Sequence, residues 1–112
     1  MCDSFIISNR FESATLTPVD VHFINQDCKK IFVHYDTGSI WEHSTMEEIL
    51  DRIGSRDIIR CHHSLAVNLN HIKSFNNGKS LLLDSGDVLF MCRAAWLRTK
   101  RAWEDKFYRD IY

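Results

Sequence analysis

The stretch from Asp57 to Phe75 holds the residues best able to do chemistry in this chain of 112 residues. Arg60, His62 and His63 are cationic or imidazole side chains that lie between two short apolar runs. Such runs predict strands, and the polar residues between them predict a loop that the strands hold out to solvent. Guanidinium and imidazole groups donate hydrogen bonds, so the loop is a candidate for binding an anionic partner.

Metal binding and catalysis are two other possibilities for the same region. Zinc prefers cysteine and histidine ligands, and the candidates in and near this region are Cys61, Cys92, His62 and His63. Their spacing matches no common zinc motif, and neighbouring residues on a strand point to opposite faces. A cysteine nucleophile would need an oxyanion loop and an orienting third residue, and the sequence indicates neither. We therefore expect no metal, no cofactor and no catalytic residue, and a structural hydrogen bond from His62 near Ser64.

Cys61 supports a different alternative, a redox-responsive or protein-interaction module. A cation beside a thiol lowers its pKa and favours oxidation, which would disturb the adjacent loop. Burial as a small apolar residue is the commoner fate of a free cysteine, and it is the interpretation we favour.

The elements before the loop are predicted from apolar spacing and turn residues. Strands are expected at Phe5–Ile7, Leu16–Val21, Val21–Asn25, Ile31–Tyr35 and Ser39–Glu42, the last after the turn Asp36–Gly38. Pro18 is expected to begin a strand or to lie on an edge, because it cannot donate to a ladder. Residues 26–30 predict an exposed loop, with Lys29 and Lys30 side by side in solvent.

A short scaffold helix is predicted between these strands and the loop. Ser44 as N-cap and Glu47 three residues later form a capping box. Apolar residues follow at helical spacing: Met46, Ile49, Leu50 and Ile53. Gly54 is suited to end the helix in a left-handed conformation.

The rest of the sequence, after the central loop, predicts a β meander and a terminal helix. Strands are expected at Ile72–Phe75, Ser80–Leu83 and Val88–Met91, joined by Asn-Gly and Ser-Gly turns. From Ala94 the period is helical, with one apolar face made of Trp96, Leu97, Trp103, Phe107 and Ile111. We expect this face to pack on the sheets rather than to form a dimer surface. About ten short strands without βαβ alternation predict a mainly β, mostly antiparallel fold.

Length and composition predict one domain over residues 1–112, with an N-terminal strand or arm at 1–10 and an amphipathic helix at 94–112. The net charge is −1, but residues 1–56 hold five Lys/Arg against nine Asp/Glu, and residues 57–112 hold nine against six. A chain polarised in this way can present one basic face. The four cysteines form no C-x-x-C pair, and no stretch has the length of a membrane span or a signal peptide, which predicts a cytoplasmic protein without membrane contact.

The central residues also resemble a family. Arg60-Cys61-His62-x-Ser64, followed by Val67-Asn68 and Asn70-x-Ile72, is similar to the signature of the LytTR DNA-binding domain, the output module of bacterial regulators of the LytR and AgrA type. The resemblance covers roughly Phe11 to Lys106. It implies small antiparallel sheets stacked in layers, a short helix ahead of the central loop, and DNA recognition by loops instead of a recognition helix.

The resemblance also implies which residues meet DNA. Lys29, His63 and Arg93 match the three family positions that enter major grooves or hold the backbone between them. Contacts to phosphates are expected from other basic residues, which are Lys30, Arg60, Lys73, Arg98 and Arg101. His63 stands where arginine, lysine or asparagine is usual, Cys92 replaces a serine, and Ala94 replaces a second basic residue.

The expected function is therefore sequence-specific regulation of transcription. By resemblance, the protein would bind double-stranded DNA at imperfect direct repeats, as two copies that form a homodimer on the site, and would bend the duplex. Family members commonly carry a receiver domain or a membrane segment, and we expect neither here. Control would then come from abundance, from self-association on DNA or from a regulatory protein partner.

Overall fold

The computed structural model describes residues 3–111, with side chains described as far as Arg109. Its elements in chain order are β1 (Phe5–Ser8), β2 (Ser13–Leu16), β3 (Val21–Asp27), β4 (Lys30–Tyr35), β5 (Gly38–His43), α1 (Met46–Ile53), β6 (Ile58–His62), β7 (Leu65–Asn68), β8 (Ile72–Asn76), β9 (Ser80–Leu83), β10 (Val88–Phe90) and α2 (Arg93–Ile111). The ten strands and two helices confirm the predicted mainly β fold. Neither helix within residues 3–111 is apolar over a long enough run to cross a membrane. Cys2 and the side chain of Ile111, both used in the sequence predictions, lie outside the described residues.

Within residues 3–111, three antiparallel sheets form the layers of the fold. The central sheet has the order β5-β4-β3-β7-β6, and β1-β2 and β10-β9-β8 form two smaller sheets. One core cluster joins the central sheet to β1, β2 and α1, and a second joins it to β8–β10 and α2. Ala66 belongs to the first cluster, whereas its neighbours Leu65 and Val67 belong to the second. The apolar run that begins β7 is continuous because both faces of that strand are covered.

The prediction of a strand over residues 16–21 is wrong. β2 ends at Leu16, and Pro18–Asp20 form a 3-10 turn before β3 begins at Val21. Pro18 occupies the first turn, where its fixed φ is favourable and its missing N–H is not needed. Thr17 and Asp20 cap the turn, since the Thr17 hydroxyl and amide donate to the Asp20 carboxylate at 2.8 and 3.0 Å.

Two further boundaries differ from the prediction. The cap of α1 is Thr45, whose hydroxyl accepts from the Glu48 amide at 3.2 Å, so the capping position lies one residue after Ser44. β3 and β4 continue into the predicted 26–30 loop and leave a tight turn at Cys28 and Lys29, with φ 57° at Cys28. Gly54 ends α1 at φ 68°, as predicted.

Helix α2 packs on the sheets, as predicted, but through a face that includes only Trp96 and Trp103 of the described residues predicted to form it. Ala95 and Thr99 are buried, and Trp96 and Trp103 pack against the second core cluster. Leu97 and Phe107, which the pattern placed on the same face, are 48% and 55% exposed. A stripe centred on Ala95 and Thr99 lets the helix approach the sheet closely.

Candidate functional site

Two turns of the central sheet lie together at one of its ends, which we call the turn edge. The β3–β4 turn carries Lys29, and the β6–β7 turn carries His63. Asn25 pairs with Leu65 in the ladder, and beyond that pair the Gln26 amide donates to the Ser64 carbonyl at 2.9 Å. The side chains of Lys29 and His63 are exposed, so the fold presents an ammonium and an imidazole at the same end of the sheet.

Arg60 fixes the turn that carries His63. Its guanidinium donates to the Glu47 carboxylate at 2.6 Å and to the His63 carbonyl at 2.7 Å. The hydrogen bond from Arg60 lowers the pKa of Glu47, which keeps the carboxylate charged. The guanidinium therefore links α1 to the β6–β7 turn, and a phosphate contact from Arg60 stays a prediction.

His62 supports the same turn from the other side. Its Nδ1 accepts a hydrogen bond from the Ser64 amide at 3.3 Å and lies 3.1 Å from the Ser64 hydroxyl. Burial lowers the pKa of His62, with smaller contributions from His63 and Arg60, which favours a neutral ring with a free lone pair on Nδ1. The predicted structural hydrogen bond next to Ser64 is confirmed.

The direction of α2 carries Arg93 to the turn edge. Arg98 donates to the Cys61 carbonyl at 2.9 Å, and Arg109 donates to Asp57 at 3.1 Å, so the helix runs antiparallel to β6. Arg93 begins the helix about 7.5 Å before Arg98, on the side of His62 and His63. Arg93 is exposed, and the fold thus brings it to the same side as the two turns.

The remaining predicted contacts have different surroundings. Lys30 is half-buried and not fully exposed beside Lys29, because its ammonium lies 4.3 Å from the centre of the Trp41 ring in a cation–π contact. Arg101 is exposed on the outer side of α2, next to Arg98. Lys73 is exposed near the start of β8, where Ile72 pairs with Leu83, at the opposite end of that sheet from the β8–β9 turn.

Two basic residues near the turn edge were not predicted. Lys79 is exposed, and its carbonyl accepts from the Met91 amide at 2.9 Å, which places it beside the start of α2. Arg10 lines an open groove of about 570 Å³ together with Lys30, Trp41 and His43. Asn9 holds the β1–β2 turn there by donating to the Trp41 carbonyl at 2.7 Å. The Asn-Gly turn before Lys79 was visible in the sequence, but its position relative to α2 was not.

Cys61 is buried, as favoured from the sequence, whereas Cys28 and Cys92 are exposed. Burial raises the pKa of the Cys61 thiol, although contacts with Thr99 and Arg98 oppose the effect. A buried thiol with a raised pKa is a poor nucleophile and is slow to oxidise. Cys61 therefore gives the redox alternative little support.

The chain is a layered antiparallel β domain that presents basic and imidazole side chains on turns. The model of the LytTr DNA-binding domain family matches residues 12–102, and the chain belongs to that family of DNA-binding domains. The resemblance inferred from the central residues is confirmed.

A solved structure has the same fold. It is the LytTr DNA-binding domain of a protein described as a methyl-accepting/DNA response regulator from Bacillus cereus. The TM-score is 0.73 at 19% sequence identity, and the match covers 88% of this chain and 94% of the other. No curated protein matches the sequence.

Proposed function

We propose that this chain is a sequence-specific regulator of transcription that reads the major groove of DNA with side chains on separate turns. The supporting observation is the convergence of Lys29 and His63 at the turn edge, with Arg93 at the start of α2 on the same side. Base edges lie within grooves about 12 Å wide, so the groups that read them must protrude from the protein. All three side chains are exposed and belong to different elements.

Each of the three side chains suits a base edge. Lys29 donates to guanine O6 or N7, and Arg93 donates to both atoms at once. His63 donates or accepts according to its tautomer, so it can pair with either kind of edge. Its backbone is held by Arg60, which reduces the entropy lost when the side chain binds.

The phosphate contacts come from the other basic residues, which are Lys30, Arg60, Lys73, Arg98 and Arg101. Arg98 donates to a backbone carbonyl, and Arg60 donates to a backbone carbonyl and to the Glu47 carboxylate. Each guanidinium retains further N–H groups on its terminal nitrogens for a phosphate oxygen. Lys73 lies near the start of β8, away from the β8–β9 turn, so its contact with phosphate depends on the DNA bending that the family resemblance implies. These contacts fix the register and make the affinity fall with salt.

Two copies bind each site, at imperfect direct repeats, and α2 offers a surface for contact between copies or with a regulatory protein. Its exposed apolar side chains include Leu97, Phe107 and Tyr108, at 48%, 55% and 59% exposure. This exposure also favours the second candidate function, a protein-interaction module with weak or no DNA binding.

Gel-shift titration of a genomic fragment library at two salt concentrations tests the proposal. We expect selected fragments to bind in a salt-sensitive manner. The Lys29→Ala/His63→Ala/Arg93→Ala variant should then lose about 100-fold or more in affinity, because each good base contact contributes about 1–3 kcal/mol. Its thermal unfolding midpoint should stay close to that of the wild type, since all three side chains are exposed.

The matched control is Arg56→Ala/Lys106→Ala, which removes the same number of formal positive charges at the opposite end of the central sheet. It should keep most of the affinity for the selected fragments. An equal loss in both variants would indicate unspecific attraction to charge and would contradict base reading by the three side chains. Absence of any selective shift would favour the protein-interaction candidate.

A further inference from the structure

We propose that His22, His71 and Asp36 form a binding site for a divalent transition-metal ion of the Zn²⁺ type, at the end of the central sheet opposite the turn edge. Their ligand atoms lie within 4.8 Å of one another. His22 is on β3, Asp36 is in the β4–β5 turn, and His71 ends the 3-10 turn Leu69–His71. Two imidazoles and a carboxylate are a ligand set that zinc commonly takes.

The hydrogen bonds of His71 show why a cation suits this site. Nδ1 lies 3.0 Å from the Asp84 carboxylate, and Nε2 lies 2.7 Å from the Val19 carbonyl. Both partners are acceptors, whereas a neutral imidazole has a single N–H. A metal bound through Nε2, with the Val19 carbonyl moved away from that nitrogen, would leave the Nδ1–H group to donate to Asp84. This arrangement is a carboxylate–histidine–metal chain, which orients the ligand and raises its basicity.

His22 is aimed at the same point by a local irregularity of the sheet. β3 has a register shift between Val21 and Phe23 in its pairing with β4, which makes His22 the extra residue of a bulge. Bulges re-aim side chains, and here the side chain turns inward. Its Nε2 lies 2.6 Å from the Asp36 carboxylate, and its ring centre lies 4.2 Å from that of His71.

Burial and access fit a metal site. The side chains of His22 and His71 are 10% and 14% exposed, whereas those of Asp36 and Asp84 are 54% and 52% exposed. The imidazoles are thus held by the core, and the carboxylates lie at the solvent side, where an ion enters. Tetrahedral zinc at about 2.0–2.1 Å from each ligand needs ligand atoms about 3.3 Å apart. Binding therefore requires His22 Nε2 and the Asp36 carboxylate to separate from 2.6 Å, and ligand atoms that lie up to 4.8 Å apart to move closer together.

The metal would tie together three segments that are distant in sequence. The start of β3, the β4–β5 turn and the 3-10 turn before β8 meet at this point. Loops and turns of this kind open more readily than the sheet core. Bound metal should therefore stabilise the far end of the molecule, independently of the residues proposed to bind DNA.

Titration of the untagged, metal-free chain with Zn²⁺ and with Co²⁺ tests the proposal. We expect one ion per chain, a higher thermal unfolding midpoint, and visible Co²⁺ d–d absorption without the thiolate charge-transfer band that binding at Cys28 or Cys92 would produce. His71→Gln should abolish the binding. Because that variant also removes buried contacts, Asp36→Asn and Asp84→Asn serve as exposed alternatives, and Asp84→Asn should weaken the affinity about 10–100-fold.

His43→Gln is the matched control, since it removes an exposed imidazole outside the cluster. It should bind the metal as the wild type does. The proposal is overturned if the wild type shows no saturable binding of Zn²⁺ or Co²⁺. It is also overturned if Asp36→Asn and His71→Gln both bind normally, or if His43→Gln loses binding to the same extent.

Discussion

At the residue scale, some residues of the central signature hold the backbone in place, and others are exposed to a binding partner. Asn68 is buried, and its amide donates to the carbonyls of Pro18 and Val21 at 3.1 and 2.8 Å. Its oxygen accepts from the Asn70 amide at 3.0 Å. Arg60 supports the turn in a comparable way, while His63 is left exposed. Arg60 therefore holds the β6–β7 turn, Asn68 anchors the opposite end of β7, and the exposed His63 is available to a ligand.

Asn68→Leu should lower the free energy of unfolding by about 3 kcal/mol, because a buried polar group left without a partner costs about 1–3 kcal/mol. The buried Val21 carbonyl and the part-buried Pro18 carbonyl and Asn70 amide each lose a partner here. Urea unfolding monitored by tryptophan fluorescence measures the change. Asn70→Ala is the control, since that side chain is exposed, and it should change the stability by no more than about 0.5 kcal/mol. Similar stabilities for the two variants would contradict the role assigned to Asn68.

At the element scale, α1 depends on its first turn and on one buried face. The helix has only eight residues and buries Met46, Ile49 and Ile53. A helix of this length is not stable alone, so its cap and its packing both matter. Thr45 accepts from the Glu48 amide, whereas the Ser44 hydroxyl donates to the Glu48 side chain at 2.6 Å.

Thr45→Ala should therefore cost about 1 kcal/mol of stability, as is usual for the loss of an N-cap. Ser44→Ala should cost less than about 0.5 kcal/mol, since it removes an exposed bond between side chains. Chemical unfolding of the two variants under identical conditions gives the comparison. The opposite order would restore the cap position that the sequence pattern predicts.

At the scale of the whole molecule, two partly buried histidines link stability to pH. Burial lowers the pKa of His34, which stacks on Phe23 with ring centres 4.1 Å apart; Asp87 opposes the shift and His22 adds to it. Burial also lowers the pKa of His62. In both cases the folded state favours the neutral ring, whereas the unfolded chain titrates near 6.5.

The sign of the effect follows from this difference. Below a pH of about 6.5 the unfolded chain binds protons that the folded state does not, so the free energy of unfolding should fall as the pH decreases from 7.5 to 5.5. The free energy of unfolding, measured in the presence of EDTA across this pH range, should show the loss of stability. The His34→Gln/His62→Gln variant should show a smaller dependence of this free energy on pH. The lowered pKa values of Asp20 and Glu47 act in a more acidic range, so they do not contribute to this window. An unchanged slope in the double variant would contradict the assignment.

Local patterns account for most of the elements that the sequence predicted. Gly54 ended α1, and the Asn77-Gly78 turn closed β8 and β9, because positive φ is needed there and few other residues supply it. The predicted boundaries were wrong where the local sequence was compatible with two different structures. Pro18 can begin a strand or the first turn of a helix, and Ser44 and Thr45 are both good caps. The family was predictable because the signature residues lie within one continuous stretch.

By itself, the sequence determined the fold class, the position of the central loop and the family, since these depend on residues close together in the chain. The tertiary structure alone decided that Lys29 and His63 share one end of the sheet, that Arg93 lies on the same side and that His22, Asp36 and His71 meet at the other end. The physical reason is that local preferences act over a few residues, whereas convergence depends on ladder register, a bulge and the direction in which α2 packs. Those features are set by burying both faces of the central sheet at once.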